Sequence, residues 1–385
     1  MNKNLTLAAA TILATAFSAQ AQITLDGTIN ANEIGTGAGK YVSLGAFTPA
    51  HVGNAGFGFF GLLHMYGANT ATKLHVALAG SLEPGGNNFQ LYMDLPGRTG
   101  VPAGTELPAI PTTATVFGTD PNDANKRIGG TKMDMEVDAA IALVGNGDVQ
   151  AAVYTSPTAG VAKSIGGGAA ISTDGTANAI PASETTGAYS AFAGTRVAYV
   201  APTGNITTNP GNANGGGAGS FAVEYEFDRA ALGLPSGASI VRLMAAYVSG
   251  DAFWSSDVIP EVTGNGNSNL GFKPDFPALA GTQAATLNVV VLSSRRADEA
   301  VVAMSVFPNP AQGQATISYR VTDRSQPVAV VLTDLTGRRV RTLLDQPQTA
   351  GMHELPVAAD NLAAGIYLVK VQVGDRAATR KLVIN

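Results

Sequence analysis

The sequence predicts an all-β chain in two parts, a large antiparallel sandwich ahead of a small one, and three observations carry that prediction. Apolar and polar residues alternate with a period of two in one segment after another, the mark of half-buried strands. Glycine accounts for 46 of the 385 residues and only 13% of residues are charged, a strand-and-turn composition. Charge is also divided, with 13 basic and 22 acidic residues over 22–299 (net −9) against 9 and 6 over 300–385 (net +3). The acidic larger part argues against nucleic acid or anionic lipid as a partner, because both repel such a surface. With 0 Cys, disulfides, thiolate zinc sites and thiol catalysis are excluded together, and core packing alone must hold the fold.

At the N-terminus Lys3 precedes an apolar run from Leu5 to Phe17 that ends in Ser18-Ala19-Gln20-Ala21. This reads as a signal peptide over 1–21 with cleavage after Ala21. The run is too short to span a bilayer, which takes roughly 20 apolar residues, and no later stretch qualifies.

The body is expected over 22–296, with 297–304 as a linker. It opens ITLDGTINANEIG, an alternating strand leading into Asp26-Gly27 and Glu33. Leu74–Leu78 and Phe89–Gly97 are further strand candidates, separated by a Gly-Asn turn. In TKMDMEVDAAIAL, Met133, Met135 and Val137 alternate with Asp134, Glu136 and Asp138, so one face of that strand is dry and the other acidic. FAVEYEFDRAALGL repeats the pattern, Phe221, Val223, Tyr225 and Phe227 opposing Glu224, Glu226 and Asp228, before a helical turn at Arg229–Leu232. SIVRLMAAYVSG and Ala285–Leu292 complete a sandwich of jelly-roll size. Two stretches rich in Gly, Ala, Thr and Asn, 156–188 and 201–219, lack apolar periodicity and read as loosely ordered surface loops.

In the tail, Pro308 and Pro310 stop any helix before Ile317, Tyr319 and Val321 alternate with Ser318 and Arg320. Val328, Val330 and Leu332 share a face ahead of a turn at Thr336-Gly337, and Tyr367, Val369, Val371 and Val373 share another ahead of Gly374-Asp375. Six or seven short strands in so small a segment bury their apolar faces only by stacking two sheets, as in an immunoglobulin-like sandwich.

Five ordered motifs then carry a resemblance. Phe307-Pro308-Asn309-Pro310, the Asp334–Arg338 segment with Gly337, the Ala350–His353 segment with Gly351, the Leu362–Val369 segment with Gly365 and Tyr367, and the closing Lys381–Ile384 together resemble the type A C-terminal sorting domain of type IX secretion cargo, a resemblance that runs over about 301–385 and places the domain itself at 305–385. The resemblance implies passage through the periplasm and across the outer membrane, with the translocon and a sortase-like peptidase as partners. It also implies release or tethering to surface lipopolysaccharide. His353 falls inside the A-G-x-H turn and is expected to be structural. More faintly, Ile23–Glu33, Leu91–Asp94 and Glu224–Leu234 are similar to segments of family-nine-like carbohydrate-binding and DOMON-like sandwiches, with Ile34 where those place Trp.

Candidate chemistry in the body is sparse. Phe253, Trp254, Asp257 and Asn269 offer an aromatic face with polar hooks for an extracellular glycan, against the alternative that Trp254 caps the core. Asp120–Asn125 supplies oxygen donors of the kind calcium takes, but without the Gly and distal Glu of an EF-hand loop, so no cofactor is expected beyond this one candidate cation. His51, His64 and His75 form no zinc pattern. Glu224 and Glu226 share a face about 7 Å apart, near glycosidase separations. The leading expectation is a non-enzymatic structural or adhesive protein, secreted or held on the cell surface. A carbohydrate-binding module comes second and a polysaccharide hydrolase third.

Overall fold

The computed structural model describes residues 23–36, 39–49, 60–119, 128–202, 215–235, 237–289, 302–322, 325–335, 337–358, 362–374 and 376–385. The signal peptide, His51 and the Asp120–Asn125 candidate lie outside the described residues, as does most of the 201–219 stretch. The chain divides into two compact units, Met1–Val291 and Leu292–Asn385. Both are built from antiparallel β-structure, as the alternation predicts.

In the first unit the strands are β1 (Val42–Ala46), β2 (Gly61–Asn69), β3 (Lys73–Ser81), β4 (Asn88–Asp94), β5 (Ala139–Val144), β6 (Val149–Ser156), β7 (Ala159–Ser164), β8 (Asn178–Ala179), β9 (Arg196–Tyr199), β10 (Ala222–Asp228), β11 (Ser239–Val248), β12 (Phe253–Ile259), β13 (Gly271–Phe272) and β14 (Ala285–Val289). One sheet runs β1-β2-β3-β10-β9-β8. The other runs β13-β12-β11-β4-β5-β6-β7, with β14 on β11. The Gly-Asn turn between β3 and β4 is therefore a crossing from one sheet to the other.

Alternation decides which side chains meet between the sheets. Val76 and Leu78 of β3, and Val223, Tyr225 and Phe227 of β10, pack against Leu91 and Met93 of β4, Ile141 of β5 and Leu243 of β11. The larger sheet is dry on its outer face as well. Tyr92, Ala140, Ala142, Tyr154, Met244 and Trp254 are buried there beneath Val101, Leu107, Phe117, Met133, Met135, Val137 and Phe276.

That second layer corrects the reading of TKMDMEVDAAIAL. Residues 132–137 alternate as expected, but they make isolated bridges (Glu106 with Lys132, Val101 with Val137) in place of a sheet strand. Their methionines are the lining of a cover laid across the sheet, and the strand proper begins at Ala139. ITLDGTINANEIG likewise is no regular strand. Its Ile23 and Ile29 pack with Tyr41, Tyr66, Ala77 and Ala79 on the outer face of the smaller sheet.

The stretch 156–188 is also more ordered than its composition suggests. It contains β7 and β8, and Ile165, Ile171 and Ile180 sit in the core between the sheets. Gly and Ala give no periodic signal, and three isolated isoleucines do the anchoring.

The second unit holds β15 (Ser305–Phe307), β16 (Gln314–Val321), β17 (Gln326–Thr333), β18 (Arg339–Gln348), β19 (Gly351–Ala358), β20 (Gly365–Val373) and β21 (Arg376–Ile384). A three-stranded sheet, β15-β16-β19, faces a four-stranded one, β18-β17-β20-β21. Ile317, Tyr319, Val330, Leu332, Val369 and Val371 fill the space between them. Val302 and Met304 belong to this core too, so the end of the expected linker is packed structure.

Trp254 stands at 0% exposure, its indole stacked on Tyr92 (5.9 Å) and edge-on to Phe276 (5.3 Å). Trp254→Ala is expected to cost about 3–5 kcal/mol, read as a shift in the urea midpoint. A loss below about 1 kcal/mol would show that the cover over the outer face is not held by this ring.

Candidate functional site

The glycan platform expected around Trp254 does not form. Trp254 and Asp257 both lie on β12, three residues apart, and period two sends them to opposite faces of the sheet. Trp254 enters the outer core, and Asp257 Oδ2 accepts the Leu62 backbone N–H (3.1 Å) from the smaller sheet. Phe253 is half-buried against Phe272 (5.1 Å), and Asn269 lies in the irregular segment before β13. A ring buried on both sides cannot take a sugar.

The acids of β10 also depart from expectation. Glu224, placed by alternation on a solvated face, is fully buried. In register it sits between Ala77 of β3 and Ala198 of β9. Those small side chains leave room for the N-terminal segment to lie over it. Glu224 Oε2 accepts the backbone N–H groups of Asp26 (3.0 Å) and Gly27 (2.7 Å), and Oε1 accepts the Tyr41 hydroxyl (2.8 Å). Gly27 has φ +74°, and a Cβ there would lie 2.8 Å from the Val200 nitrogen, so the approach requires glycine. Glu33, 1% exposed, completes the latch by accepting Thr24 N–H (2.7 Å) and Asn30 N–H (3.2 Å). The opening ITLDGTINANE segment and the strand carrying Glu224, far apart in sequence, are thus brought together as one hydrogen-bonded unit.

Burial pushes the Glu224 carboxyl up to about 8, with the bonds from Tyr41, Gly27 and Asp26 pulling the other way. The Tyr41 phenol is raised well above its ordinary value, first by burial and then by the Glu224 charge. Glu226, the other member of the expected acid pair, reaches Arg196 (3.4 Å). Glu224 and Glu226 therefore share a face without sharing a cleft.

Other polar residues are spent on structure. A groove of about 590 Å³ is bordered by Asp94, Asp134, Glu136 and Arg242. Asp94 pairs with Arg242 (2.8 Å), Asp134 accepts Gln283 N–H (2.7 Å) and Glu136 accepts Gly100 N–H (2.8 Å). His75 is buried, which lowers its imidazole to about 4, and His64 stacks on Tyr66 (4.1 Å). Arg229, which the sequence reading passed over, is a buried clamp that donates to the carbonyls of Thr70, Ala71, Pro235 and Gly237. Among the described residues no group of three or more His, Cys, Asp or Glu is arranged to hold a metal ion.

In the tail, the motif residues act as joints. Asn309 straddles the C-terminal strand, donating from Nδ2 to Lys381 O (2.7 Å) and accepting Val383 N–H (2.9 Å) at Oδ1. Asp334 closes the β17–β18 hairpin by accepting Arg338 N–H and Nε–H (both 3.0 Å), with Gly337 at φ +83°. Gly351, at φ +139°, opens β19, and His353 stacks on Tyr319 (5.5 Å) with Nε2 2.7 Å from Thr349 O. The Tyr367 hydroxyl donates to Ala363 O (2.9 Å), just ahead of Gly365. Phe307 is 48% exposed, and Pro308 and Pro310 are exposed beside it.

Residues 305–385 match the family model of the secretion system C-terminal sorting domain. This segment is a type IX secretion sorting domain, and it directs the chain to secretion or the cell surface. None of the curated proteins matches the chain. Among solved structures, dimeric latent PorU from Porphyromonas gingivalis is 13% identical at a TM-score of 0.19, over 81% of this chain and 31% of that one. A biofilm-associated protein BSP domain is 7% identical at 0.18, over 95% and 53%. A tetra-tandem repeat from the extending region of a large adhesion protein is 11% identical at 0.15, over 81% and 70%. The chain thus spans less than a third of PorU and about half of the BSP structure.

Two outcomes follow from these joints. A folded-state value near 8 against 4.5 for the free carboxyl means that Glu224 contributes stability fully present below about pH 4.5 and lost as pH rises through 8, on the order of 5 kcal/mol in all. In Glu224→Gln the amide donates to Tyr41 Oη and its carbonyl accepts Asp26 and Gly27, so urea midpoints between pH 5 and 9 should flatten relative to wild type. An unchanged pH slope would remove Glu224 as the cause. Asn309→Ala should cost about 1 kcal/mol and speed amide exchange at Val383, whereas unaltered exchange there would rule out the side-chain bridge.

Proposed function

We propose that the body, 22–296, is a non-enzymatic structural or adhesive sandwich which the sorting domain at 305–385 delivers to the cell exterior. The observation that carries this reading is that the sandwich covers its own faces. The larger sheet is roofed by Val101, Leu107, Phe117, Met133, Met135, Val137 and Phe276, and the smaller by the latch over Glu224. A catalytic or glycan-binding site needs a concave surface with polar groups free to turn toward a ligand. Here the acids that suggested such chemistry accept backbone N–H groups or pair with arginine. What the body offers outward on this reading is strand edges and turns, a surface suited to contact with other surfaces.

Delivery on this reading runs through the periplasm, with a sortase-like peptidase removing the tail and the body either released or tethered to surface lipopolysaccharide. Cells making the full chain should carry it outside and adhere more than cells lacking it. Cells making a chain truncated after Arg296 should retain it internally and adhere like the null strain. Cleavage of a polysaccharide by the purified chain, abolished in Glu224→Gln, would instead make it a hydrolase. Glycan-array binding would make it a carbohydrate-binding protein.

A further inference from the structure

We infer that the outer face of the four-stranded sheet in the sorting domain, where Arg339, Lys370 and Lys381 flank an apolar strip of Val331, Leu368 and Ile366, is the surface held by a protein receptor of the export machinery. That receptor presents carboxylates around an apolar contact. The inference rests on the sorting role of 305–385 and adds where, and by what chemistry, the domain is read.

The register places these side chains together. Thr333 pairs with Arg339 on one side and Leu368 on the other, Leu368 pairs with Lys381, and Val331 pairs with Lys370. Val331, Thr333, Leu368, Lys370 and Lys381 each alternate with a core residue, Leu332, Val369 or Leu382, and so point away from the core, and Arg339 joins them beside Thr333. Val331, Thr333, Arg339 and Lys370 border a shallow depression of about 340 Å³. Ile366 remains 42% exposed at one end of the strip, and Leu335, 65% exposed, projects from the adjoining hairpin turn.

Three cations stand on strands β18, β20 and β21, and neighbouring strands lie only about 5 Å apart. Lys370 and Lys381, diagonal neighbours on adjacent strands, lie within the screening length of roughly 8 Å in physiological salt and repel, while Arg339, separated from Lys370 by β17, adds to the positive sign of the face. Among the described residues no carboxylate pairs with any of the three, whereas Arg338, on the same turn, is held by Asp334. An anionic partner relieves the repulsion, and the apolar strip between the cations fits a protein surface. Asp345, paired with Ala329 farther along β18, is on this face too, leaving three cations against one carboxylate, whereas on the outer face of the three-stranded sheet Arg320 and Glu354 balance on paired strands.

The test uses the full chain in a host with a type IX system, comparing external and retained protein, with thermal unfolding of each purified chain as the check on folding. The triple variant Arg339→Glu, Lys370→Glu, Lys381→Glu should fold and leave an exported fraction lower by about tenfold. Arg320→Glu on the opposite face should export as wild type. If the triple Glu variant does not fold, the corresponding triple Gln variant, which adds no repulsion, decides, with an intermediate fall expected. Wild-type export by a folded triple variant overturns the inference while leaving the sorting role intact. An equal fall in Arg320→Glu overturns it too, since charge on any face would then matter. Free export of a chain truncated after Arg296 removes the sorting role and this inference with it.

Discussion

A sheet that is apolar on both faces must be covered twice, and most of the body follows from that requirement. β4 and β5 are buried along nearly their whole length, AAIALV without a break, where a sheet open to water on one side would alternate. One cover is the second sheet. The other is the excursion between β4 and β5, two strands that pair directly and need only a hairpin to connect them. The described arms of that excursion bond to each other backbone to backbone, Val101 with Val137 in both directions, Gly104 N–H to Met133 O and Leu107 N–H to Thr131 O, and acids accept N–H groups outside those pairs. Asp138 takes Leu95 N–H (2.7 Å) where the cover rejoins the sheet, and burial raises its carboxyl to about 6. Glu136 does the same for Gly100 N–H, and Asp134 ties the cover to Gln283 N–H. Acids opposite the methionines are therefore staples on the cover, and the methionines fill the irregular gap beneath it.

The smaller sheet solves the same problem with less chain. Its outer face is made shallow by Ala68, Ala77, Ala79 and Ala222, and the N-terminal segment fits into that shallow surface. A buried carboxylate is costly unless its oxygens are satisfied. Glu224 is satisfied by the segment that covers it, so burial and latch are one event. Both sheets of the body are thus covered on the face turned away from their partner, the larger by the excursion and the smaller by the N-terminal segment.

The sequence made the inner faces legible because Val223, Tyr225 and Phe227, or Val369, Val371 and Val373, alternate without exception. It did not reveal the outer covers, since alternation reports which residues are apolar and not what lies over the others. Glu224 illustrates the limit. The sign that its face is dry lies in Ala77 and Ala198, residues distant in sequence that become neighbours only once the strands pair. Trp254 misleads for a related reason. Its surroundings, GDAFWSSD and a Gly-Asn run, look solvated, yet Ser255 and Ser256 are buried, and Ser255 turns its hydroxyl onto Tyr247 O (2.7 Å). The tail was far more legible, because its signals are local: a turn residue at a fixed offset from an alternating strand.

That locality also separates two jobs within the tail. Asn309, Asp334, Gly337 and Tyr367 are consumed by turns and bridges inside the domain, so a receptor meets their consequences more than their side chains. Arg339, Lys370 and Ile366 take no part in those joints and project outward. Motif residues thus specify the shape, and the face they hold in place carries the charge. Lys381 belongs to both sets, because its carbonyl accepts the Asn309 amide while its ammonium points outward with the other cations. The bridge that pins the last strand therefore also fixes the height of one charge on the proposed receptor-facing surface, so building the fold and presenting the address are a single structural act at that position.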